Sequence, residues 1–388
     1  MKPKVAILRG PSLSKFEMQI YEPLTKWFNL TGIGSTKPLN DCTNIKFPIL
    51  KLSCFAQFIT RLPFTTHLMY EFFGDTQWLS GFSKAITGFN LLHSAEVRTG
   101  YTYQAIKAKK KGLVKAVTIT VYENIPFVTE EYSIRKRIRE EVISEIDHFL
   151  AANDQARQSL ITEGADRDKI SIIPQSVDTK IFKPAKKRNK LEKLRRKYQI
   201  KSDDFIILSV ERIVWEKGPY DLVRAAAKIK KESSKKIKFI LVGSGIELIP
   251  LKELIKRENL EEIFIFTGQL EYQKVPEIFQ LADLFVHPSV PTRWWNEQFG
   301  GVLIEAMASG LPIIGTNSGG IVETVGKEGG VFIPPQNFSA LADAINLFIN
   351  NPKLRCKIGS RNREVTLKKY DIDVVAKNIK TIWEGILK

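Results

Sequence analysis

The sequence predicts a doubly wound α/β protein built around two parallel sheets. Short apolar runs without alternation fit strands buried on both faces. Amphipathic stretches at helical spacing separate consecutive runs, which makes βαβ units. A length of 388 residues suits two domains, at roughly 100–200 residues each.

The elements follow in order. KVAILRG (4–10) reads as a strand entering a Gly-Pro turn, with a helix predicted over 14–28. VKAVTITVYEN (114–124) is a second strand, followed by a helix over about 131–146. HFLAAN (148–153) is a strand, then a helix runs to residue 162, then KISIIP (169–174). The stretch 35–95 has no periodicity that assigns it. The second half is more regular. FIILSV (205–210), KFILVG (238–243), IFIFTG (263–268), DLFVHPS (283–289) and LPIIGT (311–316) read as strands, with helices between them. Several strands end in Gly, Ser or Pro, which places loops at their carboxyl ends, where open α/β sheets bind ligands.

Composition excludes several classes. The three cysteines (Cys42, Cys54, Cys356) are odd in number and scattered, so a disulfide scaffold is excluded and a reducing, cytoplasmic compartment is expected. The four histidines are far apart in sequence, which argues against a histidine-rich metal centre. No apolar stretch reaches the ~18 residues of a membrane span. The start, MKPKVAILRG, has too short an apolar core for a signal peptide. The net charge is +17, yet residues 183–200 alone hold nine Lys and Arg against one Glu. That run contains one aromatic, Tyr198, so it lacks the interleaved rings of a nucleic-acid platform. It reads as a solvated linker and first helical turns, or as a segment drawn to anionic lipid.

Two stretches carry chemistry. In NEQFGGVLIEAMASGLPIIGTNSGG (296–320), Glu297 and Glu305 flank Phe299-Gly300-Gly301 at the start of an apolar helix. Two residues without side chains at a helix start let backbone N–H groups approach an anion, and the helix dipole adds attraction. Glu305, about a turn inside, can accept from vicinal hydroxyls such as a ribose, and Glu297 can address a second polyol. The layout fits a nucleotide sugar. In SVERIVWEKGPYDLVRAA (209–226), Arg212 and Lys217 lie on a strand-to-helix connection beside Gly218. They can hold a diphosphate, Arg by bidentate bonds and Lys as a point charge. Solvated surface charges are the competing reading of each stretch.

Taken together, in this order and separation, the two stretches resemble the retaining glycosyltransferases of family 4, the group 1 glycosyltransferases of GT-B fold. The pattern there is strand, Gly-Arg, loop, Lys-Gly, helix, and later Glu, Phe-Gly and a second Glu. The resemblance covers roughly 170–330 and includes ISIIPQSVDTKIFKP (170–184), LVGSGIE (241–247), FTGQL (266–270) and LADLFVHPSV (281–290). It implies two Rossmann-like domains facing across a cleft. An acceptor-side domain would span 1–183 and a donor domain 184–371, with a helix over 372–388 packing back onto the first.

The resemblance also implies residue roles. Arg212 and Lys217 would bind the donor diphosphate and neutralise the leaving group. Glu305 would hold the ribose, and Glu297 the donor sugar hydroxyls. The backbone around Phe299, Gly300, Gly301, Val302 and Leu303 would hold sugar and diphosphate, with Gly10 facing the diphosphate from the other domain. The reaction would move a sugar from a UDP- or GDP-linked donor to a hydroxyl with retained configuration, the nucleotide sugar being a co-substrate and no cofactor being needed. No metal is expected, because fixed Arg and Lys charges serve the same electrostatic purpose. Asp371-Ile372-Asp373 follows no recognisable buried strand. Many relatives carry a His after the strand corresponding to VTITVYENI. Tyr122, Glu123 and Asn124 stand there instead, so Glu123 is the candidate polar group near the acceptor. His93 is a second candidate, and a lone His in such a place also reads as a satisfied core residue.

On the acceptor side, residues 55–82 hold eight aromatics: Phe55, Phe58, Phe64, Tyr70, Phe72, Phe73, Trp78 and Phe82. They read as helix core, or as an interface for a membrane or a lipid-linked glycan acceptor. Lys107, Lys109, Lys110, Lys111, Arg135, Lys136, Arg137 and Arg139 can supply attraction to an anionic surface. Two rival functions remain. One is another GT-B activity, such as a sugar-nucleotide epimerase or hydrolase. The other is a basic nucleic-acid-binding protein.

Overall fold

The computed structural model describes residues 1–39, 42–55, 72–128, 133–185, 188–232 and 235–388. They divide into two compact units, Met1–Gln175 with Ile372–Lys388, and Ser176–Asp371. The division thus falls after Gln175 rather than after residue 183. Residues 176–183 stay with the second unit because Val177 N–H donates to the Tyr370 carbonyl (2.9 Å) and Phe182 packs edge-on against Phe279 (5.7 Å between centroids).

Unit 1 holds a seven-stranded sheet in the order β3-β2-β1-β4-β5-β6-β7. The strands are β1 (Lys4–Gly10), β2 (Asn29–Ser35), β3 (Ile49–Leu52), β4 (Leu91–Ala95), β5 (Ala116–Val121), β6 (His148–Ala151) and β7 (Ile170–Ile172). Unit 2 holds a six-stranded sheet in the order β10-β9-β8-β11-β12-β13. Its strands are β8 (Phe205–Val210), β9 (Ile237–Val242), β10 (Phe264–Gly268), β11 (Leu284–His287), β12 (Ile313–Thr316) and β13 (Gly330–Ile333). Neighbouring strands run parallel in both sheets. All carboxyl ends within a sheet therefore lie along one edge, and the connections to the following helices start there.

Departures from the expected elements have local causes. The stretch 14–28 is not one α-helix. Lys15–Met18 is α-helical and Gln19–Lys26 continues as a tighter 3-10 helix with Pro23 inside it. Proline has no N–H to give the turn before it. β2 carries Gly32 and Gly34 (NLTGIGS), so its apolar signature is diluted. β3, Phe82–Ala85 and β4 lie within the stretch that resisted assignment. Beyond residue 316 the chain adds β13 and helices Phe338–Asn350 and Pro352–Val365. The basic run forms helix Arg188–Lys197 within unit 2.

Helix Ile372–Leu387 completes the core of unit 1. Trp383, fully buried, stacks on Tyr21 (6.2 Å, 5° between planes) and meets Phe28 edge-on (5.4 Å). Removing so large a buried ring leaves a cavity the sheet cannot close. Trp383→Ala is expected to cost about 3–5 kcal/mol, read as an earlier urea unfolding transition of unit 1 by circular dichroism.

Candidate active site

The charged groups singled out in unit 2 come from the carboxyl edge of its sheet. Lys217 ends a short turn (Trp215–Lys217) after β8, and Glu297 lies on the loop after β11. They meet directly, Nζ to Oε2 at 2.5 Å, and both are largely buried. The approach requires Gly218. It sits at φ +69°, and a Cβ there would lie 2.1 Å from the Pro288 carbonyl oxygen. Glu297 is also held by its backbone, its carbonyl accepting from Gly320 N–H at 2.7 Å.

Three further groups complete the cluster. His287 Nε2, at the end of β11, lies 2.8 Å from Glu297 Oε2. Ser289 Oγ lies 3.2 Å from the same oxygen and 3.1 Å from His287 Nε2. On the ring's other side, Glu211 Oε2 faces His287 Nδ1 at 3.3 Å, within ion-pair range but not aligned as a hydrogen bond. Burial alone would push the Glu297 carboxyl up. The charges of His287 and Lys217 outweigh it and hold Glu297 well below the usual carboxylate range. Burial alone would lower the His287 imidazole, and Glu297 and Glu211 reverse this and raise it. Trp295 closes one side, with Lys217 Nζ 4.7 Å from its ring centroid.

The loop from Glu297 runs directly into helix Gly301–Ala308. Gly300 begins it at φ +75°, in the left-handed region, and its missing side chain leaves room for Leu303. No side chain among the described residues caps this helix start. Phe299 is buried and Leu303 fully so, which anchors the turn, while Gly301 and Val302 are half-buried. The N–H groups of the first turn are therefore suited to an anion. Glu305 is buried further along, its Oε1 accepting from Tyr272 OH at 3.0 Å. Burial, only partly offset by that hydroxyl, pushes its carboxyl up to about 8. Arg212 is exposed on the same connection as Lys217, and its guanidinium has no side-chain partner among the described residues.

In unit 1, Gly10 ends β1 at φ +49°, and a Cβ there would press on the Tyr101 ring at 3.0 Å. Glu123 follows β5 and pairs with Arg98 at 2.9 Å. His93 is different. It is fully buried in mid-β4, with Nδ1 2.9 Å from Thr118 Oγ1, and with Thr120 Oγ1 and Tyr21 OH each 3.0 Å from Nε2. Burial, with Arg9 adding to it, holds the ring neutral by lowering its pKa well below the ordinary value. Its place is that of a satisfied core histidine rather than of a group that meets an acceptor. A small depression lined by Glu96, Arg98, Glu123, Arg135, Arg139 and Glu163 lies in this unit.

Other expectations fall as follows. Asp371 accepts from the Thr179 hydroxyl (2.5 Å), and Asp373 approaches Lys26 at 4.0 Å. Phe55, Phe72 and Phe73 are exposed, Trp78 is half-buried and Phe82 is buried. Phe58, Phe64 and Tyr70 lie outside the described residues. Among those described, no helix is long and apolar enough to cross a membrane. The residues that sequence reasoning missed are Glu211, His287, Ser289, Tyr272 and Trp295. A histidine ending the strand motif DLFVHPS was the available signal for one of them.

Comparison with known proteins bears on the same region. Residues 190–365 match the family model described as glycosyl transferases group 1. The chain is 27% identical over 245 residues to the phosphatidylinositol N-acetylglucosaminyltransferase GPI3 subunit of Saccharomyces cerevisiae, covering 63% of this chain and 52% of that protein. The chain thus spans about half the length of that relative. It is 26% identical over 281 residues to N-acetyl-alpha-D-glucosaminyl L-malate synthase of Bacillus anthracis, covering 71% and 69%. Among solved structures it is similar to Anabaena Alr3699/HepE in complex with UDP (TM-score 0.78, 17% identity, 99% and 100% covered). It is also similar to a Rickettsia africae glycosyltransferase (TM-score 0.78, 20% identity, 100% and 99% covered). The fold is GT-B, two Rossmann-like domains with parallel sheets.

The lone buried carboxyl of Glu305 makes a thermodynamic prediction. Its folded-state pKa, about 8, stands above the ordinary 4.5, so the native state holds a proton that the unfolded state releases. Stability should therefore fall as pH rises between those values. Glu305→Gln keeps the acceptor for Tyr272 without the ionisation. Urea unfolding should show it level with the wild type near pH 4.5 and the more stable of the two at pH 8, by at most about 1.4 kcal/mol per pH unit crossed.

Proposed function

We propose that this chain, a group 1 glycosyl transferase through its residues 190–365, moves a sugar from a nucleotide-diphosphate donor to a hydroxyl. The observation that carries this reading is the buried Lys217–Glu297 pair beside an uncapped Gly-Gly helix start. A diphosphate needs fixed positive charge and N–H donors, and a sugar needs a carboxylate held in place. Here they are adjacent in one unit. Arg212 and Lys217 stabilise charge on the departing diphosphate, as preorganised donors do where charge develops. The helix start at Gly301 and Val302 binds phosphate oxygens, Glu297 takes donor sugar hydroxyls, and Glu305 takes the ribose.

Ribose hydroxyls donating to Glu305 favour its charged form, so donor binding releases the proton that burial retains. The UDP and UDP-glucose complexes of the similar Anabaena protein favour a UDP-linked donor. Retention of configuration and independence of metal belong to the same proposal. They are supported by the resemblance of the two motifs and by cations that stand where a metal's charge would act. Unit 1 receives the acceptor, with Glu123 near its hydroxyl. A glycan or lipid-linked acceptor agrees with the lipid acceptor in the name of the yeast relative, and a cytoplasmic setting with the odd cysteine count.

The deciding experiment is a thermal-shift screen with UDP, GDP, UDP-glucose, UDP-N-acetylglucosamine and GDP-mannose, followed by turnover with the stabilising donor. One donor should raise Tm and be consumed, with activity surviving EDTA. Lys217→Ala and Glu297→Ala should each lower turnover by about 10²–10³-fold. Wild-type turnover in either variant would remove the assignment.

Exposed Phe72 and Phe73 support contact with a lipid surface. Of the basic residues expected to assist, Lys107, Lys109 and Lys110 are instead engaged by Glu141, Asp147 and Glu145, and Arg139 is buried. This leaves the exposed Lys111, Lys136 and Arg137 for that attraction. Cosedimentation with vesicles containing phosphatidylserine should be strong at low salt and weaken as salt rises. No binding at low salt would refute it.

A further inference from the structure

We propose that His287 is a positioning residue for Glu297, seated between the carboxylates of Glu211 and Glu297 so that one face of the donor-sugar ligand is fixed. The inference rests on reading Glu297 as that ligand. The geometry is a chain of contacts drawn from four segments. Ser209 Oγ donates to Glu211 Oε1 (2.8 Å), and Glu211 Oε2 faces His287 Nδ1 (3.3 Å). His287 Nε2 meets Glu297 Oε2 (2.8 Å), which also takes Lys217 Nζ (2.5 Å) and Ser289 Oγ (3.2 Å). Ser289 is fixed in turn by Thr316 Oγ1, which donates to its carbonyl (2.7 Å). The Phe285 ring lies nearly parallel to the imidazole (15°, 6.3 Å), so the plane of His287 is set by packing as well.

The proton count on the ring follows from these contacts. Nε2 must carry hydrogen to donate to Glu297. A bare Nδ1 would then set a lone pair 3.3 Å from the Glu211 carboxylate in a buried place. With both nitrogens protonated, Glu211 and Glu297 are matched by Lys217 and His287, and the buried cluster is neutral. A neutral ring would leave one uncompensated negative charge beside the place proposed for the diphosphate. His287 thus aims Glu297 and offsets a charge that would repel the donor. The titratable and charged groups facing it are Glu211, Glu297 and Lys217, and the upward shift of its imidazole agrees with that set. A raised imidazole stays charged through pH 6.5 and loses its proton at higher pH. Charge compensation and the seating of the ring against Glu211 are therefore complete at low pH and lost as pH rises through the ring's folded-state pKa, while Nε2–H keeps its bond to Glu297.

The test has one reading without donor and one with it. Four histidines keep the ring ¹³Cε1 spectrum assignable, and His287→Gln identifies the signal that disappears. In the wild type that signal should report an imidazolium above pH 6.5, and Glu211→Gln should move its titration downward. With the donor found by the screen above, wild-type kcat/KM should decline as pH rises through that same titration. His287→Gln, which keeps a neutral donor for Glu297, should lose about 10–100-fold in kcat/KM and show no such decline. A merely structural histidine would leave the pH profile unchanged. A ring neutral at pH 6.5, or a wild-type pH profile in His287→Gln, overturns the inference even if sugar transfer is intact. An imidazolium in a wild-type protein that turns over no donor overturns the glycosyltransferase reading, and the positioning role with it.

Discussion

A carboxylate taken out of water has to be matched where it lies, and Glu297 shows what that demands of a fold. Transfer of an isolated ion into an apolar interior costs several kcal/mol even after relaxation. Three groups converge on one oxygen of Glu297, and they come from the turn after β8, from β11 and from the residues that follow it. No single element can supply such a set. A parallel sheet can, because its carboxyl ends share an edge and each connection leaves from it. The charge balance of the cluster and the strand order of unit 2 are therefore one constraint seen at two scales.

The same constraint explains why the connections are so closely fitted. Gly218 lies where any side chain would strike the Pro288 carbonyl, and this places Lys217 against the loop that carries Glu297. The helix after that loop has no side-chain cap at its first turn, so the cations held by Glu297 and a set of helix-start N–H groups lie within a few residues of each other along the chain. Glu305 stands apart from this balance. It has a hydroxyl partner but no cation, and burial keeps its proton on. Two glutamates eight positions apart thus shift in opposite directions, one held ionised by its cations and the other held protonated by burial.

Legibility followed periodicity. Strands such as FIILSV and LPIIGT are unbroken apolar runs, and they were readable because a strand buried on both faces has no other pattern. β2, with its two glycines, and the helix interrupted by Pro23 were not, because composition there hides the element. At the site, Lys217, Glu297 and Glu305 stood out because they flank glycines at strand-to-helix connections. Glu211 and His287 did not. They lie 76 positions apart, and only the pairing of β8 with β11 brings them together. Spacing along a chain reports neighbours on one element, while a cluster assembled by sheet order is visible only once that order is known.

The two buried histidines make the point in physical terms. His93 and His287 both lie within central strands, both are out of solvent, and both pack against an aromatic ring. Their neighbours differ. His93 is surrounded by hydroxyls from Thr118, Thr120 and Tyr21, with Arg9 close by, so nothing compensates a positive ring and the neutral form is retained. His287 has a carboxylate on each nitrogen, and burial then works for the ion pair rather than against it, since the same low dielectric that penalises a lone charge strengthens a matched one. Burial alone therefore assigns no role to a histidine. The sign of the charge facing each ring nitrogen sets its ionisation, and by that criterion one of these residues is a neutral core group and the other the positive member of a buried ion-pair cluster at the end of β11.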